Sequence, residues 1–119
     1  MQNFRDLEVW KKAHELVLQV YRITKTLPPS ENFGLTANLR RTAINMASRI
    51  AEGAGKSSDF EFGNELKRAR AIAYELEYLL LLAHDLEYLS QERLQDTTGQ
   101  IIQVRKMISG LLSRLTSAA

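Results

Sequence analysis

The sequence predicts an all-α protein, an antiparallel up-down-up-down four-helix bundle. Apolar residues recur every three or four positions rather than every second one. Only two strong breaks interrupt this pattern, and the 119 residues include just 2 prolines and 6 glycines. A content of 45% hydrophobic and 25% charged residues is typical of a compact domain and excludes a disordered or collagen-like chain. The length suits one domain, which we expect to span residues 1–119.

The breaks divide the chain into its helices. Leu27-Pro28-Pro29-Ser30 is the first, because proline cannot continue a helix. The second is Gly53-Ala54-Gly55-Lys56-Ser57-Ser58, where the glycines favour a helix end and Ser58 or Asp59 favours a new N-cap. Ser90 marks a weaker third break. We therefore predict helices at about 6–27, 35–54, 59–88 and 90–116.

Two helices show their core-facing side in the sequence. The fourth has a coiled-coil-like seam, interrupted at Thr97, that consists of Leu94, Ile101, Val104, Ile108, Leu111 and Leu115. One side of the first helix carries Leu7, Trp10, His14, Val17, Tyr21 and Thr24. We expect both sets to face the core, with His14 as a hydrogen-bonded core histidine.

The sequence contains few of the residues that catalytic and metal sites use, so we expect no enzymatic activity, no bound metal and no cofactor. It has no cysteine and 2 histidines, which excludes disulfides and thiolate sites. Leu81 and Lys11 stand where a di-iron bundle would need the glutamates preceding His84 and His14. His84 and Asp85 are adjacent on a helix and should not face each other. The Gly53–Ser58 segment lacks the spacing of a phosphate loop, so a cap and turn explains it better.

No segment indicates a membrane or an export signal. No apolar run reaches the roughly 18 residues that a membrane span needs. The N-terminus, Met1-Gln2-Asn3-Phe4-Arg5-Asp6, has no apolar core of a signal peptide. We therefore expect a cytoplasmic protein without a membrane partner.

The second and third helices are more apolar than a lone bundle requires. The run Tyr78-Leu79-Leu80-Leu81-Leu82-Ala83 is apolar on all sides, and Leu81 and Leu82 lie off the core-facing arc. Ile44, Ala47 and Ala51 widen the apolar arc of the second helix. A homo-oligomer with these helices near the subunit contact would bury that surface. A wide core with a few exposed leucines is the alternative.

Arginines and glutamates on the same two helices suggest an ion pair. Arg40 and Arg41 lie on the second helix, and Glu75 and Glu77 on the third. A buried or interfacial arginine normally needs a carboxylate partner. We expect one of these arginines to pair with one of these glutamates, either for structure or in a ligand pocket.

The charges are polarised along the predicted bundle. One end gathers residues 1–17, 46–70 and 103–119 and holds eleven basic and seven acidic residues, whereas the other end holds five and seven. We call the first the basic end. In a ring of parallel protomers its charge would be multiplied and would attract nucleic acid through the phosphates. The candidate contact residues are Lys11, Lys12, Lys56, Lys67, Arg68, Arg105 and Lys106. An ordinary solvated mixture of charges is the alternative.

Three segments carry a family resemblance. Phe4 to Ala13 (FRDLEVWKKA), Leu35 to Gly53 (LTANLRRTAINMASRIAEG) and the connection Pro28…Glu31-x-Phe33-Gly34-Leu35 resemble the bacterial four-helix-bundle proteins encoded in intervening sequences of 23S rRNA genes. The match runs over nearly the whole chain. Arg49 stands where that family commonly has Asn, and Ala71-Ile72 where it commonly has Gly-Ser.

The resemblance implies a cytosolic homopentamer with no established enzymatic activity. Relatives include accessory proteins of diversity-generating retroelements, which look like basic pentameric barrels that bind nucleic acid and a reverse transcriptase. We therefore predict a non-enzymatic oligomer that binds RNA or a nucleoprotein through the basic end. Its structural or assembly residues would be Arg40, Arg41, Glu52, Glu75, Leu81 and Leu82. The alternative is a protein-interaction scaffold without nucleic-acid binding.

Overall fold

In a computed structural model, which describes residues 2–117, the chain folds into four α-helices. They are α1 (Glu8–Thr24), α2 (Leu35–Ala54), α3 (Asp59–Asp85) and α4 (Gln91–Ser117), with short 3-10 turns at Phe4–Asp6 and Pro29–Glu31. Each helix packs against the next one, and α4 closes the ring against α1. The described part measures 48 × 23 × 20 Å. The predicted all-α four-helix bundle is confirmed.

The first helix faces the core with a different stripe from the one predicted. Its buried residues are Val9, Ala13, Leu16, Val20, Ile23 and Thr24. Of the predicted set only Thr24 is buried, whereas His14 and Tyr21 are exposed. The expectation of a core histidine is wrong, because the His14 ring stacks on Trp10 outside the core, with 5.1 Å between ring centroids. Two apolar stripes with the same spacing run side by side on α1, and the one with smaller side chains fits the bundle interior.

The seam of α4 is buried at its centre. Ile101, Val104 and Ile108 are almost completely buried, and Leu94, Leu111 and Leu115 pack against the core from its edge. Thr97, which interrupts the predicted seam, is also fully buried, and its hydroxyl has no hydrogen-bond partner within residues 2–117. The position therefore faces the core despite its polar side chain.

Two predicted serine caps begin the later helices. The Ser58 Oγ accepts a hydrogen bond from the Glu61 amide at 3.2 Å, and the Ser90 Oγ accepts one from the Arg93 amide at 3.2 Å. Each hydroxyl satisfies an amide that the first helical turn leaves without a partner. Gly55 follows the last residue of α2 with a φ of −84°, so its backbone needs no glycine.

Glu31 connects the loop between α1 and α2 to the loop between α3 and α4 through hydrogen bonds. Its Oε1 accepts a hydrogen bond from the Leu35 amide at 3.1 Å, at the start of α2, and its Oε2 accepts one from the Tyr88 hydroxyl at 3.2 Å. A Cβ on Gly34 would lie 2.7 Å from that Oε1, so a larger residue there would require the Glu31 carboxylate to move. Burial, the hydrogen bond to Glu31 and the charge of Glu31 together raise the pKa of Tyr88.

The third helix ends at Asp85, three residues before the predicted boundary, in a two-bond C-terminal motif. The Tyr88 amide donates to the Ala83 carbonyl at 2.9 Å, and the Glu87 amide donates to the His84 carbonyl at 2.8 Å. This geometry places Glu87 at a φ of 68°, in the left-handed region that glycine prefers. A non-glycine residue therefore occupies the position at a cost in stability.

Replacing Glu87 with glycine is expected to raise the free energy of unfolding by about 1 kcal/mol, because the left-handed conformation costs glycine nothing. Urea unfolding followed by circular dichroism measures the change. Glu87→Ala removes the same carboxylate and keeps the strained backbone, so its stability should stay near that of the wild type. Equal stabilisation by alanine and glycine would show that the charge of Glu87, and not its backbone, is responsible.

Candidate nucleic-acid interface

The seven cations predicted to contact nucleic acid lie on three helices and in one turn. Lys11 and Lys12 lie on α1, Lys56 lies in the turn after α2, and Lys67 and Arg68 lie on α3. Arg105 and Lys106 lie near the middle of α4, at the border of the basic end. These last two line one cavity together.

Four of these cations are paired with carboxylates. Lys11 contacts Glu8 at 3.2 Å, Lys12 contacts Glu15 at 3.7 Å, and Arg68 contacts Glu65 at 2.8 Å. Arg105 forms a close ion pair with Glu77 across the α3–α4 contact. Such pairs at a surface contribute little stability, but each lowers the local positive potential. Lys56, Lys67 and Lys106 form no ion pair with any described residue.

A small cavity between α3 and α4 collects cations without acids. Its volume is about 300 Å³, and its lining is Arg70, Tyr74, Ile102, Arg105, Lys106 and Ser109. We call it the cationic cavity. The Arg70 guanidinium donates to the Ser109 hydroxyl at 3.1 Å, a bond that orients Arg70 and leaves its charge intact. Three positive charges thus face a space whose lining has no carboxylate.

A larger cavity adjoins it along the same helices. This aromatic cavity has a volume of about 610 Å³, and Tyr74, Tyr78, Leu81, Leu94 and Ile102 are among its lining residues. Tyr74 and Tyr78 are 59% and 60% exposed. Tyr74, Ile102 and Arg105 line both cavities, and the Arg105 guanidinium lies 4.2 Å from the centre of the Tyr74 ring. These three residues therefore separate the two cavities.

A third cavity continues the groove toward the basic end. Its volume is about 320 Å³, and it is bordered by Phe60 and Lys67 on α3 and by Leu112 and Leu115 on α4. Phe60 is 78% exposed. The three cavities together form what we call the α3–α4 groove. Besides exposed aromatic rings its lining carries four cations, Lys67, Arg70, Arg105 and Lys106, and two carboxylates, Asp59 and Glu77.

Arg68 belongs to the opposite side of α3, where it covers a buried carboxylate. Glu65 is only 6% exposed, and both Arg68 and Arg49 contact it, Arg49 at 3.5 Å from α2. Arg49 also lies 3.8 Å from Glu52, one of the predicted assembly residues. Arg49, the departure from the family pattern, thus takes part in a charged network between α2 and α3.

The predicted pairing of Arg40 or Arg41 with Glu75 or Glu77 is wrong. Arg40 turns toward α1, where its Nε donates to the Thr24 hydroxyl at 2.9 Å and its guanidinium lies 4.5 Å from the centre of the Tyr21 ring. Arg41 hydrogen-bonds to Asn38 within α2. The sequence places these arginines on α2 but does not determine which neighbouring helix each one faces.

The two glutamates have other partners. Glu75 accepts a hydrogen bond from the Thr42 hydroxyl at 3.4 Å, whereas Glu77 pairs with Arg105. Both contacts connect α3 to a neighbouring helix. They are therefore structural, and neither glutamate lies in a pocket formed with Arg40 or Arg41.

The leucines predicted to mediate assembly differ in exposure. Leu81 is 46% exposed and lines the aromatic cavity, whereas Leu82 is partly buried and packs against the core. Ala71-Ile72 is the place where α3 departs from the family pattern. Ala71 is exposed there, and Ile72 packs against the core. The extra apolar surface of α3 thus lies partly in the α3–α4 groove.

The structure corrects one expectation about the second histidine. His84 Nδ1 lies 3.1 Å from Asp85 Oδ1, although adjacent helix residues were expected to point apart. The contact joins exposed side chains at the end of α3. Within residues 2–117 no group of three potential metal ligands occurs.

Arg70, Tyr74 and Tyr78 were not predicted as site residues from the sequence. Arg70 contributed only to the net charge of the basic end, and Tyr78 only to the apolar run of α3. Their spacing in the sequence could have indicated that they share one face of a helix, because Arg70, Tyr74 and Tyr78 follow one another at intervals of four residues.

Fold and surface together define a small all-α bundle protein with a cation-lined groove. The chain belongs to the 23S rRNA-intervening sequence protein family, whose sequence model matches residues 5–110. Its fold is similar to the crystal structure of a protein of unknown function from the S23 ribosomal protein family of Bacteroides thetaiotaomicron VPI-5482. That pair has a TM-score of 0.81 and 23% sequence identity, over 87% of this chain and 97% of the other. No curated protein matches the sequence. None of the described helices is long and apolar enough to cross a membrane.

Proposed function

We propose that this protein is a non-enzymatic, cytoplasmic homo-oligomer that binds RNA or a nucleoprotein through its basic end. The observation that carries the proposal is a set of five cations in that end without a carboxylate partner among the described residues. They are Arg5, Lys56, Lys67, Arg70 and Lys106. Cations that no acid neutralises are available to phosphates.

The remaining predicted contacts have a smaller part in this proposal. Each of the four would contact phosphates only in competition with the carboxylate that it already contacts, and they are Lys11, Lys12, Arg68 and Arg105. Neutralisation of phosphates carries no base information, so the basic end alone would bind without sequence preference. Affinity would fall steeply with salt, since each phosphate contact releases a counterion.

Assembly is supported by exposed apolar side chains on the α1–α2 side of the bundle. Leu18, Tyr21 and Ile44 are 36% to 44% exposed there. A subunit contact that covers them would remove this apolar surface from water. Head-to-tail contacts between subunits close into a ring when the rotation between neighbours closes, and otherwise extend into a filament. The family resemblance favours a ring of five subunits.

One variant in which glutamine replaces four of these cations is expected to show a weaker salt dependence of RNA binding. The four are Lys56, Lys67, Arg70 and Lys106. Each lost phosphate contact removes about 0.9 from the slope of the logarithm of the association constant against the logarithm of salt concentration, so the slope should become shallower by about 3.6. Fluorescence anisotropy with a structured RNA and a matched DNA duplex, titrated across salt, measures it.

The matched control neutralises four cations at the opposite end, namely Arg22, Lys25, Arg41 and Arg93. The net charge changes equally, yet the slope should change by less than about 1. Equal flattening by both variants would argue against a binding role specific to the basic end. If the wild type binds neither polyanion at low salt, the scaffold alternative takes its place.

Oligomer size is tested separately by light scattering. A homopentamer would have about five times the protomer mass of 13.6 kDa. A monomer at micromolar concentration would contradict the assembly part of the proposal.

A further inference from the structure

We propose that the α3–α4 groove binds unpaired nucleotides of a single strand, with a phosphate in the cationic cavity and a base against Tyr74 and Tyr78. The inference rests on the proposed function and specifies it further, because it names the form of nucleic acid and the residues that would recognise it.

The cationic cavity has the chemistry of a phosphate site. Arg70, Arg105 and Lys106 line it, and no carboxylate does. The hydroxyl of Ser109 is already a partner of Arg70, which orients the guanidinium toward the cavity it lines. Although Arg105 pairs with Glu77, that carboxylate lines the aromatic cavity and not this one. A phosphate would therefore meet Arg70 and Lys106 without a competing acid, and Arg105 in competition with Glu77.

The neighbouring cavity has the chemistry of a base-stacking site. Tyr74 and Tyr78 expose more than half of their surface on one turn of α3, and their rings border a volume of about 610 Å³. The Arg105 guanidinium stacks on Tyr74, so the ring is held at the partition between the cavities. Unpaired bases stack on aromatic rings and on arginine planes, whereas bases inside a duplex are covered by their neighbours.

The groove favours a strand over a single small nucleotide. Beyond the cationic cavity it continues to Lys67 and to Phe60, which is 78% exposed. A cation and an aromatic ring thus recur further along the same helix. This repetition provides contacts for more than one nucleotide.

Charge argues against a second copy of this chain as the occupant of the groove. The other exposed apolar surface of the protomer, around Tyr21 and Ile44, carries Arg40 stacked on Tyr21. Packing it over the cationic cavity would bring another cation toward Arg70, Arg105 and Lys106, and like charges repel. A polyanion complements the groove and a second copy does not.

The test compares Tyr74→Ser/Tyr78→Ser with the wild type in anisotropy titrations. The probes are a single-stranded oligoadenylate RNA of about 12 nucleotides, the same RNA in a duplex, and AMP. Loss of stacking should weaken single-strand binding at least about tenfold and leave duplex binding within about twofold of the wild type. Phe33→Ser is the matched control, because Phe33 is a fully exposed aromatic residue just before α2, outside the groove, and it should change nothing.

Each other outcome overturns a different statement. If the wild type binds strand and duplex and the tyrosine variant binds both equally well, the groove proposal is wrong while the proposed function stands. If the wild type binds neither, the proposed function itself fails. If AMP binds as tightly as the single strand, the groove is a pocket for a free nucleotide and not a site for a strand. A lower oligomer mass for the tyrosine variant in light scattering would show that the groove is a subunit contact.

Discussion

Removing both Arg49 and Arg68 is expected to lower the free energy of unfolding by about 3 kcal/mol. Their shared partner, Glu65, is 6% exposed and contacts Arg68 at 2.8 Å and Arg49 at 3.5 Å. A buried carboxylate that loses its partners keeps its desolvation cost without compensation, a loss of about 3–5 kcal/mol when the group cannot reach water. Each alanine variant alone leaves one arginine in place and should cost only about 1 kcal/mol.

The cost should therefore be strongly non-additive. A double-mutant cycle from urea unfolding measures this coupling: the double variant should lose about 1 kcal/mol more than the two single variants lose together. Adding Glu65→Met to the double variant removes the buried carboxylate that has lost its partners, and it should restore most of the lost stability. If the two single costs simply add, and Glu65→Met restores nothing, the arginines act independently of Glu65.

The helical pattern alone predicts most of the fold. The break at Pro28-Pro29 and the caps at Ser58 and Ser90 mark real helix boundaries, because these residues act within one turn of the chain. The core face of α1 was not predictable in the same way. Its two apolar stripes have the same spacing, and only the space between the packed helices selects the one with Ala13 and Val20.

The candidate site was predictable only in part. Counting charges locates the basic end, but it does not show that Lys106 is unpaired while Lys11 contacts Glu8. Arg105 likewise finds Glu77 and Tyr74 on a different helix. Such long-range contacts depend on helix rotation and register, which local patterns leave open. The cationic cavity is therefore visible only when α3 and α4 are packed together.

Substitution of Gly53 is also expected to cause a large loss of stability, because α2 and α3 approach each other closely at this residue. This glycine lies in the last turn of α2, where an added Cβ would be 2.8 Å from Cδ1 of Phe62 and 2.9 Å from Cβ of Glu65. The Glu65 Cβ is fixed to the backbone of α3, so relief requires the helices to move apart. Gly53→Val is therefore expected to destabilise the fold by about 3 kcal/mol, and Gly53→Ala by less, because alanine is smaller and favours the helix.

Gly99 provides a control of the same chemistry in open space. It also lies within a helix, and nothing is found within 4 Å of the Cβ that alanine would add there. Gly99→Ala should therefore stabilise α4 by up to about 1 kcal/mol through helix propensity alone. Urea unfolding of both alanine variants separates the effects, since propensity is common to the two sites and the clash is present only at Gly53. Equal stabilisation at both positions would mean that α2 and α3 have room at Gly53, and the family-like Glu52-Gly53 sequence would then need another explanation.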